Sequence, residues 1–95
     1  MEPRGFAYEI LGRCGNDYEA PHTIASDLAR DLGRTVTEEE VRAALIDLAV
    51  AGQVDAYIFL PCQSEYVRIS PTEATSIDQP WFMMSQKGRA EYGAS

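Results

Sequence analysis

VTEEEVRAALIDLAVAGQVDAYIFL, residues 36–60, changes its hydropathy period partway along, from the spacing of a helix to the alternation of a strand. Thr37 with Glu40 forms the S/T-x-x-E capping box, and Val36 and Val41 stand where a hydrophobic staple closes. Val41, Ala44, Leu45, Leu48 and Ala49 then repeat at three and four, and Gly52 follows as a left-handed stop. The spacing predicts a helix over about residues 38–51. From Val54 the pattern alternates. Val54, Ala56, Ile58 and Leu60 face the helices, which leaves Asp55, Tyr57 and Phe59 as an unusually apolar outer row.

Working outward, residues 5–14 place Phe6, Ile10 and Leu11 on one side of a first helix. Gly15-Asn16-Asp17 is a turn signal, and residues 18–21 continue as a loop. A second helix is expected from Thr23, with Asp27 near its positive end, Ile24, Leu28 and Leu32 buried, and Gly33 as its stop. Residues 61–80 are rich in Ser, Thr, Pro and Glu, and only Tyr66-Val67-Arg68-Ile69 reads as a short strand. An excursion of that length needs internal structure or flexibility. Residues 81–84 read as a returning strand, with Phe82 and Met84 inward and Trp81 and Met83 outward, and Ser85 caps a last helix through about residue 92. One core is expected from Phe6, Ile10, Leu28, Leu32, Val41, Leu45, Leu48, Ile58, Phe82 and Met84.

The run I-A-x-x-L-A-x-x-L-G from Ile24, then V-x-x-A-L-x-x-L-x-x-x-G-x-V from Val41, then F-x-M-S-x-K-G-R from Phe82, resembles the winged helix-turn-helix family. The resemblance implies an α+β winged-helix domain over residues 1–95. Its parts would be a three-helix core, a two- or three-stranded antiparallel wing sheet with a long wing at about 61–80, and a short C-terminal helix. It also implies kinship with DNA-binding domains of small bacterial transcriptional regulators, the helix at 38–51 standing in the place of the recognition helix.

With 95 residues, 45% of them apolar, the chain can bury one modest core. No apolar run approaches the roughly 20 residues of a membrane span, and residues 1–10 lack the apolar region of a signal peptide. Two cysteines, Cys14 and Cys62, are too few for a disulfide framework. A soluble, cytoplasmic protein is therefore expected. The net charge is −7, and the excess is concentrated in residues 37–60, where five carboxylates face one arginine.

Catalysis needs convergent groups, and the inventory is thin. His22 is the single imidazole, read as a solvated loop or capping residue; a small enzyme using it is the distant alternative. A zinc site from Cys14, His22 and Cys62 would lack a fourth ligand, and Gly12 and Gly15 are in the wrong context for a phosphate loop, so neither metal nor cofactor is expected.

For DNA, charge decides. A helix-turn-helix inserts the N-terminal residues of its recognition helix into the major groove, and here they are Glu38, Glu39 and Glu40. Three carboxylates there oppose the phosphate attraction that drives such binding. Arg34, Arg42 and Arg68 are the contacts under the alternative of a sequence-specific DNA-binding regulator.

Two apolar strips point instead to protein contact. Ala43, Ile46 and Val50 form a second strip on the helix, to be covered by the first helix or by a partner chain, including a second copy. Tyr57, Phe59, Trp81 and Met83 form the outer face of the sheet, either covered by the 61–80 excursion folding back or left as a binding surface. The sequence thus reads as a non-catalytic, homodimeric winged-helix module acting through protein contact, with no membrane partner.

Overall fold

In the computed structural model, which describes residues 6–15 and 17–93, the helix that follows Thr37 is α3, Glu38–Val50. Both limbs of its capping box are made: Glu40 N–H donates to Thr37 Oγ1 at 3.1 Å, and Thr37 N–H to Glu40 Oε1 at 3.4 Å. Ala51 caps its C-terminus, and Gly52 takes φ +82°, the left-handed turn that lets the chain leave as β1, Val54–Leu60.

Two helices precede α3, α1 (Phe6–Cys14) and α2 (Pro21–Leu32); after β1 come β2 (Glu65–Ile69), α4 (Pro71–Ala74), β3 (Trp81–Met84) and α5 (Gln86–Gly93). The result is an α+β arrangement in which three helices pack against a three-stranded antiparallel sheet of order β2-β1-β3. Glu19 adds an isolated bridge on β3, its N–H and C=O exchanging bonds with Phe82 at 2.8 and 2.9 Å. Gly5 and Asn16, read from sequence as a helix start and part of a turn, lie outside the described residues.

The core gathers Ile10, Leu11, Cys14, Ile24, Leu28, Val41, Leu45, Leu48, Val54, Ala56, Phe82 and Met84, with Phe6 packed against its edge. Three expectations are corrected. First, α2 starts at Pro21 rather than Thr23, because proline at the first helical position lacks only an N–H that has no helical partner there. His22 therefore sits in the first helical turn, exposed, and not in a loop. Second, Leu32 is 43% exposed. Each four-residue step advances about 40° beyond a full turn, so Leu32 has rotated about 80° from Ile24 and off the stripe. Third, Ile58 is only half-buried, because β1 runs past the helices toward its hairpin with β2.

The excursion over 61–80 is also not what covers the sheet's outer face. Its first half pairs with β1 as the edge strand β2, and its second half crosses to the helical side, where Ala74 is fully buried. Ser70 and Glu73 close a second capping box that starts α4. Arg42 on α3 then fastens the crossing, its guanidinium donating to the carbonyls of Ala74 (2.9 Å), Asp78 (3.3 Å) and Ile77. The last helix is seated by Ser85, whose Oγ accepts from Gly88 N–H at 3.0 Å and donates to the Gly52 carbonyl, and by the stacking of Tyr92 on Tyr8 at 4.7 Å.

Candidate functional site

The strand register assigns the outer face of the sheet. Tyr57 stands opposite Trp81 and Asp55 opposite Met83 on one side, while Phe59 stands opposite Tyr66 and Tyr57 opposite Arg68 on the other. Asp55, Tyr57, Phe59, Tyr66, Arg68, Trp81 and Met83 thus share one surface. Tyr18, placed by the Glu19 bridge, lies across it, stacked on Tyr66 at 3.7 Å and edge-on to Tyr57 at 4.8 Å. Tyr66 also meets Phe59 at 5.0 Å and Trp81 edge-on at 5.6 Å. The edge-on and tilted contacts fall in the range of about 4.5–7 Å that aromatic pairs prefer, whereas Tyr18 lies almost face to face on Tyr66; none of these rings is fully buried and Phe59 is 37% exposed.

The charges on this face cancel. Arg68 pairs with Asp55 at 2.9 Å. Burial first, then the Asp55 and Tyr18 neighbours, raise the Tyr57 hydroxyl above the ordinary phenol range against a smaller lowering by Arg68, so the ring stays neutral at physiological pH.

On α3, Ala43 is exposed, Ile46 half-buried against the core and Val50 73% exposed. Ala43 and Ile46 floor a groove of about 400 Å³ between α3 and the end of α4, bounded by Glu39, Arg42, Asp47 and Thr75. No part of the first helix stands among the groove's lining residues.

The basic residues singled out for DNA are all engaged within the chain. Arg34 lies 3.9 Å from Glu40, donates to the Thr35 carbonyl at 3.0 Å and stands 5.5 Å from the Phe6 ring centre. Arg42 is committed to the three carbonyls of the crossing, and Arg68 to Asp55. Glu38, Glu39 and Glu40 are exposed at the start of α3.

His22 and Glu38 line one open concavity of about 670 Å³ with Ser26 and Arg34, but no hydrogen bond joins His22 to a carboxylate among the described residues. Cys14 does not line it but is buried in the core, its thiol on the Ile10 carbonyl and pushed up to about 12 by burial and by Glu19. Cys62 is exposed in the β1–β2 turn. Among the described residues no group of three or more His, Cys, Asp or Glu side chains is arranged to hold a metal ion, and no helix is long and apolar enough to cross a membrane.

Tyr18 and Tyr66 are the members of the aromatic face that sequence reasoning missed. Alternation put Tyr66 and Arg68 on a common side, but which side depends on the register with β1; Tyr18 reaches the sheet only through the Glu19 bridge, which has no local signature. Compared with family models, with curated proteins and with solved structures, the chain matches none.

Proposed function

We propose that the chain is a non-catalytic winged-helix module, related to transcriptional regulators, that acts by protein contact and pairs with a second copy of itself through the outer aromatic face of its sheet. The observation that carries this reading is the charge at the front of α3. Three exposed glutamates occupy the end that a helix-turn-helix would insert, while Arg42 is committed to carbonyls of its own chain and Arg34 and Arg68 each stand beside a carboxylate on the surface. The sheet face is the better self-contact. Its Asp55–Arg68 pair is balanced, so two copies of an acidic protein can meet there without bringing like charges together, and Tyr and Trp are frequent interface anchors.

Sedimentation over a concentration series tests it. The parent is expected to dimerise, and Phe59→Glu, at a partly exposed position, to sediment as a folded monomer. A monomeric parent at high concentration would end the homodimer. In parallel, anisotropy with random and genomic duplex pools should give binding no tighter than about 10⁻⁶ M near physiological salt; one sequence bound at nanomolar affinity would replace this reading with that of an operator-binding regulator.

A further inference from the structure

We propose that the groove between α3 and α4 docks a basic amphipathic helix from a partner protein. The proposal rests on the reading of the chain as a protein-contact module and adds the chemistry of the partner. Glu39, Ala43, Ile46 and Val50 follow one another at four, three and four, a single line along α3 of the kind that accepts the apolar stripe of another helix. Ala43 and Ile46 form the apolar floor of the groove, and Val50, 73% exposed and outside the groove's lining, continues the apolar line along α3.

Charge selects the occupant. Glu39 and Asp47 border the apolar floor, and neither has an ion-pair partner among the described residues. Arg42 keeps its charge, but its N–H donors are directed into the Ala74, Ile77 and Asp78 carbonyls and are not offered to an occupant, so Glu39 and Asp47 leave the lining with a net negative charge. A second copy docking by the same line would set carboxylates against carboxylates, whereas Lys or Arg flanking an apolar stripe matches both.

Backbone chemistry selects the conformation. One wall is α3 and the other is the turn at Thr75 that ends α4, and Arg42 already draws on the carbonyls there, so an extended peptide would find no strand edge here to satisfy its N–H and C=O groups. A helix satisfies its own, and lays its side chains into a groove read at i, i+3, i+4 and i+7. The line from Glu39 to Val50 is about 16 Å long at helical rise, so three turns of partner helix fill it.

The test uses the whole chain and a fluorescein-labelled peptide of about 14 residues of Leu, Lys and Ala, with leucines at helical spacing. A permuted peptide of the same composition with no apolar stripe is the control. Anisotropy should show the patterned peptide binding at least about tenfold more tightly than the permuted one. Asp47→Lys and Val50→Asp, both at exposed positions, should each weaken it by about tenfold, and Glu65→Lys, the same charge change on β2, by less than about twofold. Equal binding of the permuted peptide, or an equal loss with Glu65→Lys, would reduce the effect to net charge and overturn the proposal. A parent that ignores the patterned peptide yet dimerises would retire the groove and leave the self-contact reading standing, whereas nanomolar duplex binding would retire both.

Discussion

At the scale of single residues, Gly88 shows how an ordinary-looking position is fixed by what faces it. It lies in α5 against β1's approach, and a Cβ built there would meet the Gln53 carbonyl oxygen at 1.9 Å. Alanine in a helix interior ordinarily gains about 0.8–1 kcal/mol over glycine; here the obstacle is backbone, so α5 must shift. Gly88→Ala is expected to cost about 1–3 kcal/mol and to lower the melting temperature by about 4 °C or more, read by thermal denaturation. The Ser85 cap was legible in the S-x-K-G-R segment, and its Oγ accepts from Gly88 N–H, but the approach of Gln53 that Gly88 permits was not. Glu19 was not legible in the same way. Burial, then Asp17 and Asp27, raise its carboxyl above the usual range. A folded-state value above the unfolded one means that its contribution to stability is whole below the carboxylate range and is lost as pH rises through the raised value. Glu19→Gln should therefore melt higher than the parent at pH 7, and the difference should close below about pH 4.

Among the elements, α3, β1 and β3 could be read almost to the residue, because capping box, staple, left-handed glycine and alternation all agree locally. Within the 61–80 excursion the strand read at 66–69 is β2, Glu65–Ile69, but α4 and its crossing could not be read, because they are set by Arg42, a partner distant in sequence. Arg42 looked in sequence like a candidate phosphate contact, yet a planar guanidinium is what three converging carbonyls require. Arg42→Lys keeps the charge and loses the fork, so it is expected to destabilise the chain by about 1–3 kcal/mol. Hydrogen exchange should locate the loss: protection should fall first at Ala74, whose N–H bonds the Ser70 carbonyl at 3.0 Å, and persist at β1 and β3. Uniform loss across the sheet would mean that Arg42 holds the core rather than the crossing. As for the contact surfaces, the two strips were visible because an apolar residue on a polar side breaks the period. Which strip lay open was not visible, since that depends on where the crossing goes.

Considered whole, the molecule carries a charge of −7 in a body whose radius of gyration is 13.0 Å, and this sets opposite salt dependences for its two contacts. Two copies with centres about 26 Å apart repel by about 8 kcal/mol in water without salt, and a Debye length of about 8 Å at 0.15 M leaves less than about 1 kcal/mol of it. The sheet-face contact itself is balanced, so nothing at the interface offsets that repulsion at low salt. The dimer is therefore expected to tighten at least tenfold between about 10 mM and 150 mM salt. Peptide docking on the α3–α4 groove draws attraction from Glu39 and Asp47 and should weaken over the same range. Sedimentation and anisotropy at matched ionic strengths measure both. A dimer that loosens as salt is added would show that unlike charges hold the copies together, and would move the self-contact off the aromatic face to a surface where arginine meets carboxylate across the two chains.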